Sequence, residues 1–303
     1  MKSLLFIESP FQLLNANEAV HRYSLDDYKI IVRLSNNEKN DEQIIYVIKQ
    51  LGIENIKYIK INVSNKNIID YMKLLFYRFR YIFIKVNKVF IGNCESGFLK
   101  LVLKQFNKED IILLDDGAKS IDIQKNFNDK ENYNLFTMYD LVPYQSQIIE
   151  NNNYEKLQQD LKQLEINTNQ VLFLGLKLSE IGIVSEEYYL KKIKQIAAYY
   201  KNEKILYISH RGETKDKLEK IKSMTNIEVI VLGYPVELYG LYNDNIPYKV
   251  ASFYSTALLS MQNIYNLKAE SFMFDCQHSE HKEIIENVYD YYKSYFEVID
   301  LDD

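Results

Sequence analysis

Tryptophan is absent from the 303-residue chain, cysteine occurs only twice, and no uncharged run approaches the length of a membrane span. Cys94 and Cys276 are too few to build a disulfide framework, which points to a reducing compartment. A bilayer-spanning helix needs roughly 20 apolar residues in succession, which the sequence does not supply. The apolar start stops at Glu8, too soon for a signal peptide, so a cytoplasmic protein is expected. A net charge of −5 argues against a global basic surface for nucleic acid and leaves local patches open.

What the chain does contain is globular material, 47% hydrophobic and 26% charged, at a length that favours two domains over one core. Strand and helix alternate along it. Residues 4–7 read as an apolar strand, and Ser9-Pro10 then supply an N-cap and a first-turn proline for a helix reaching about residue 21. Further strands are expected at residues 29–34, 57–63, 88–91 and 111–114, separated by helical or polar segments such as 41–51 and 97–106. Over residues 126–164 the composition shifts to Asn, Gln, Lys and Glu, which predicts a linker near Asn151-Asn152-Asn153 and an exposed helix at 154–164. A second alternation has strands at 171–174, 204–208, 227–232, 248–251 and 271–274, with helices near 185–200, 215–224 and 256–264. The expected fold class is therefore α/β: two Rossmann-like domains, residues 1–155 and 156–303, with parallel sheets facing a central cleft. The last helical stretch, 281–295, is expected to pack back on the first domain.

Residues 71–88 interleave aromatics with Lys73, Arg78, Arg80, Lys85 and Lys88. They fit a core-facing helix with a basic outer face, or an amphipathic helix that meets anionic lipid or a lipid-linked substrate.

Candidate chemistry gathers where strands end, because open α/β sheets bind ligands beyond the carboxyl ends of their strands. The run 111–114 ends in Asp115-Asp116-Gly117. The strand at 204–208 ends in Ser209-His210-Arg211-Gly212-Glu213, bringing an imidazole to a sheet mouth. Beyond residue 232 the turn Gly233-Tyr234-Pro235-Val236-Glu237 delivers a carboxylate that suits ribose hydroxyls or a helix start. Ser252, Ser255 and Thr256 precede an apolar helix, where hydroxyls and free backbone N–H groups suit phosphate. Asp275, Cys276, His278 and His281 cluster in sequence, but their spacing fits no closed zinc set, and no metal is expected.

The set resembles the bacterial sialyltransferases of the polysialyltransferase and lipooligosaccharide-sialyltransferase kind, inverting enzymes with a GT-B fold. Their acidic-acidic-Gly, His-Pro and Ser/Thr marks are similar to Asp115-Asp116-Gly117, His210-Arg211 and Ser255-Thr256, with Arg211 standing where the family has proline. The start Ser9-Pro10-Phe11-Gln12 and the turn Pro235-x-Glu237 are similar to further family features. The resemblance implies transfer of sialic acid or a related nonulosonic acid from a CMP-sugar donor to a glycan acceptor, which can be lipid-linked, in capsule or lipooligosaccharide synthesis at the inner face of a membrane. It implies that residues 1–155 form the acceptor-side domain, with Asp115 as general base, and residues 156–303 the CMP-donor-binding domain, with His210 as acid or electrostatic stabiliser of the phosphate. Ser252, Ser255 and Thr256 would hold the phosphate and Glu237 the ribose, with Asp116, Gly117, Ser9, Pro10 and Gln12 in support. No cofactor and no metal are expected, nor a nucleic-acid partner; a homodimer is compatible with the sequence. The alternatives are a transferase using CMP-Kdo or a UDP-sugar, and a GT-B-like sugar-nucleotide epimerase.

Overall fold

Short apolar runs become the buried strands of two parallel sheets in the computed structural model, which describes residues 2–34, 37–61, 68–81, 85–125, 133–276 and 279–302. The chain divides into two compact units, Met1–Leu157 and Gln158–Asp303.

The first unit runs β1 (Lys2–Ile7), α1 (Pro10–Arg22), β2 (Tyr28–Leu34), α2 (Glu38–Gln50), β3 (Ile56–Lys60), α3 (Ile68–Phe79), β4 (Val86–Ile91), α4 (Gly97–Val102), β5 (Ile111–Leu114), α5 (Lys119–Lys125), β6 (Asn134–Thr137) and β7 (Ile149–Asn151). Among the described residues its sheet has the order β3-β2-β1-β4-β5-β6-β7, with every pairing parallel. Leu4, Leu5, Phe6 and Ile7 of β1 are wholly buried, as a strand covered on both faces by helices requires. Ser9 caps α1 by accepting from the Gln12 backbone N–H, and Pro10 opens the first turn where its missing N–H costs nothing.

The second unit follows with α6 (Glu155–Asp160) at the boundary, then β8 (Glu165–Leu174), α7 (Glu186–Tyr199), β9 (Lys204–Ile208), α8 (Lys215–Lys222), β10 (Ile227–Ile230), α9 (Tyr239–Tyr242), β11 (Asn245–Ser252), α10 (Ala257–Tyr265), β12 (Lys268–Phe272), α11 (Ser279–Tyr292) and β13 (Glu297–Ile299). Among the described residues its parallel sheet, β10-β9-β8-β11-β12-β13, repeats the order of the first six strands of the first sheet, without a counterpart of β7. In each sheet the order reverses beside the first strand, between β1 and β4 and between β8 and β11. Those reversals are the points where doubly wound sheets take ligands. Ser185 and Thr214 cap α7 and α8 through side-chain oxygens.

Several expectations are corrected. The linker expected near 151–153 is instead ordered sheet edge, since β6 and β7 complete the first sheet, Asn151 ends β7 and Asn152 is buried; the helix expected at 154–164 is the shorter α6, and residues 126–132 lie outside the described chain. The basic aromatic stretch 71–88 is not one helix, because α3 ends at Phe79 and β4 begins at Val86; residues 82–84 lie outside the described chain. The strand expected at 57–63 ends at Lys60, with residues 62 and 63 undescribed. The last helix, α11, buries Ile285 and Tyr289 in the core of its own unit. No helix of the described residues is long and apolar enough to cross a membrane.

Candidate functional site

Asp115 and Asp116 leave the carboxyl end of β5, where the chain turns through Gly117 at φ +68°, a left-handed conformation that glycine adopts without strain. The first aspartate turns inward and is fully buried. Its Oδ1 accepts from Ser120 Oγ at 2.6 Å and Thr137 Oγ1 at 2.7 Å, and its Oδ2 accepts from the Met138 backbone N–H at 2.7 Å. Asn15 donates to its carbonyl at 3.0 Å and accepts from Asn152 at 2.9 Å. Burial pushes the Asp115 carboxyl up to about 6, against the three donors that hold it down, with the neighbouring Asp116 charge adding to the rise. Both oxygens are occupied inside the fold. Asp116 is only partly buried. Asp115 therefore braces the corner, and Asp116 is the carboxylate that solvent reaches.

Ser9 and Pro10 serve the start of α1. Gln12 is buried and accepts from the Glu8 N–H at 2.8 Å, its side chain filling the space where Gly92 has no Cβ. Sequence reasoning missed Glu8, at the β1 end beside the reversal. It pairs with Arg33 at 2.5 Å and accepts from Ser96 at 2.8 Å. The signal was an acid directly after a buried apolar strand.

In the second unit His210 is half-buried at the end of β9, and its Nδ1 accepts the Gly212 N–H at 3.0 Å. The neutral ring then carries its proton on Nε2. Burial, followed by the charges of Lys177 and Arg211, pushes the His210 pKa down to about 4. It is therefore neutral at pH 7, and the proton it can offer is the one on Nε2. The turn is braced from beneath by Glu213, which accepts from the His210 N–H at 2.7 Å and from Tyr207 Oη at 2.7 Å. Lys217, buried, bridges Glu213 and Glu180 at 2.9 Å each, and its ammonium sits 4.0 Å from the Tyr189 ring centroid. Lys177, exposed just past β8, adds a cation that sequence reasoning also missed, because it stands singly between Leu176 and Leu178.

Ser255 and Thr256 lie half-buried at the start of α10, beyond the end of β11 and next to the β8/β11 reversal. The Ser255 hydroxyl accepts from the Ala257 N–H at 3.3 Å, and the Thr256 side chain makes no capping bond. Ser252 is corrected: wholly buried, it donates to the Leu174 carbonyl at 2.6 Å and cannot meet a ligand. Glu237 is buried, with Oε1 accepting from Ser260 at 3.0 Å, and burial pushes its carboxyl up. Asp275 is held through its N–H by Tyr188, and His278 lies outside the described residues.

No family model and no curated protein sequence matches the chain. Solved structures do. The UDP co-structure of MnaA from S. aureus aligns with 97% of this chain and 87% of its own, at 14% identity and TM-score 0.57. The UDP-GlcNAc 2-epimerase of Methanocaldococcus jannaschii, in complex with UDP-GlcNAc and UDP, aligns with 97% and 92%, at 14% identity and TM-score 0.55. Acinetobacter baumannii MurG aligns with 100% and 87%, at 7% identity and TM-score 0.51. These likenesses show the fold. It is the GT-B architecture, two Rossmann-like units with parallel sheets.

Proposed function

We propose that the protein is a glycosyltransferase that draws on a nucleotide-linked sugar, with a UDP-sugar as donor class. The observation carrying this reading is the edge of the second sheet. His210 Nε2–H, Lys177, Arg211 and the Ser255-Thr256 start of α10 all lie at the carboxyl ends of its strands, chemistry that suits phosphate. The uridine choice is supported by the UDP and UDP-GlcNAc complexes of the similar structures.

In this reading the His210 N–H and the two cations stabilise charge developing on the departing phosphate, while the hydroxyls and N–H groups at the α10 start hold its oxygens. Asp116 takes the proton of the acceptor hydroxyl, and attack opposite the leaving phosphate inverts the anomeric centre. The charges of the protein itself do the work of a metal, so activity in excess EDTA is expected.

A second reading is transfer of sialic acid, or another nonulosonic acid, from its CMP donor. It is favoured by the order Asp115-Asp116-Gly117, His210, Ser255-Thr256 along the sequence. A thermal-shift screen separates the two, since a nucleotide at 100 times its Kd adds about 2.7 kcal/mol of stability. Preferential stabilisation by UDP is expected. Selectivity for CMP over UMP, UDP and GDP would install the second reading, and conversion of a UDP-sugar without any acceptor would replace transfer by epimerisation.

A further inference from the structure

Helix α3 carries two opposed apolar stripes, one buried and one largely exposed. Leu74 and Tyr77, with Tyr81 just beyond the helix, recur at i, i+3 and i+7 and are buried in the first core. On the other side Ile68, Met72, Phe76 and Phe79 recur at i, i+4, i+8 and i+11 and are 73%, 65%, 55% and 52% exposed. Tyr71 beside them is 60% exposed. Large apolar side chains scattered singly on a surface need no explanation, but a contiguous stripe marks an interaction site.

Its surroundings say what kind. Residues 57–88 contain eight lysines and arginines and a single acid, Asp70, in a protein whose net charge is −5. Lys60, Lys73 and Arg80 are exposed along the flank of the stripe, and the Arg80 guanidinium stands 5.4 Å from the Phe76 ring centroid. Burial and then the nearby charges of Arg80 and Lys29 push the Lys57 ammonium down, so like charges crowd this end of the unit. An open depression of about 460 Å³ is lined by Leu75, Phe76, Phe79 and Arg80, three apolar side chains and a cation. A second copy of the chain is a poor occupant. A two-fold contact would set this excess of cations against itself.

We propose that α3 is an interfacial anchor, with its outer stripe entering the headgroup–acyl boundary of an anionic phospholipid membrane while Lys60, Lys73 and Arg80 meet lipid phosphates. At 12 residues, α3 lies on a bilayer and does not span it. Apolar insertion and headgroup attraction act together, so each alone gives weak binding and both give retention. The anchor is independent of which nucleotide the second unit takes.

The test is flotation of the full chain with phosphatidylcholine vesicles, with and without phosphatidylglycerol. The wild type is expected to bind the phosphatidylglycerol vesicles at least about tenfold more tightly, and high salt to weaken that preference. Met72→Ser/Phe76→Ser is expected to lose about tenfold or more in binding, and Lys73→Glu/Arg80→Glu to lose the preference for anionic lipid, each with an unchanged melting curve because these side chains are exposed. Equal flotation with both vesicles, or retention of binding by both double variants, overturns the proposal. So does a wild type that ignores vesicles and forms a dimer dissociated by Phe76→Ser, which would assign the stripe to a second copy.

Discussion

At Asp115 the surroundings pull in opposite directions. Burial raises its pKa to about 6, while Ser120, Thr137 and the Met138 N–H favour the charged form. In the unfolded chain the same carboxyl titrates near 3.9. Between those values the folded state holds a proton that the unfolded state has lost, so stability falls as pH rises from about 4 to about 6, by at most about 3 kcal/mol from this group. Urea unfolding of wild type and Asp115→Asn should show the gap between them shrinking over that interval; a constant gap would remove Asp115 as its source. At neutral pH Asp115→Asn turns an amide toward donors and is expected to cost about 1–3 kcal/mol of stability. Asp116→Asn should behave oppositely, with an unchanged unfolding curve and turnover lower by about 10²-fold or more. If Asp115→Asn instead abolished turnover with no loss of stability, the base would be Asp115. His210 makes a separate statement. Held neutral to about pH 4 with its proton on Nε2, its ring should show no titration above about pH 5 by ¹⁵N NMR of the free protein. An imidazolium at pH 6.5 would contradict the neutral-donor role.

The elements around His210 constrain it through a glycine that no motif announces. A Cβ at Gly175, just past β8, would fall 2.5 Å from Tyr207 Oη and 2.6 Å from Glu213 Oε2, the two groups that hold up the histidine turn. Gly175→Ala is therefore expected to cost about 1–3 kcal/mol of stability and to weaken nucleotide binding together with it, measured by melting and by titration. Stability lost without any change in nucleotide affinity would separate the brace from the site. Gly175 also shows where sequence reading stops. β5 and β9 are readable to the residue because a strand buried on both faces is an unbroken apolar run closed by a turn. β6, β7 and β13 are three or four residues long and sit toward or at a sheet edge, where alternation is too brief to register. The strand-end positions of Asp115, His210 and Ser255 followed from that reading. Which oxygen faces water did not, because the partners that bury Asp115 and Ser252 come from other strands: Thr137 and Met138 follow from β6, and Leu174 ends β8. The Glu213–Lys217–Glu180 bridge escaped for the same reason, since Glu180 joins it from 37 residues away.

At the scale of the whole chain, one order of strands occurs twice, and each sheet closes a core from its own side chains, Leu4 to Leu135 in the first unit and Val171 to Tyr289 in the second. Two cores of this kind need not melt together, because two-state behaviour belongs to single domains. Two calorimetric transitions are expected. The groups proposed to meet the nucleotide, His210, Ser255 and Thr256, all belong to Gln158–Asp303, so a nucleotide that binds them adds its stabilisation to that unit alone. The absence of tryptophan makes the assignment simple, since a single Phe→Trp replacement in one core reports the melting of that unit without background. Placed at Phe136 in the first unit or Phe253 in the second, the probe should give a nucleotide-dependent midpoint only at Phe253. A shift of equal size at both probes would mean that the units unfold as one body. A shift at Phe136 alone would move the nucleotide to the β1/β4 edge, beside Glu8 and Arg33, and with it the assignment of donor and acceptor sides.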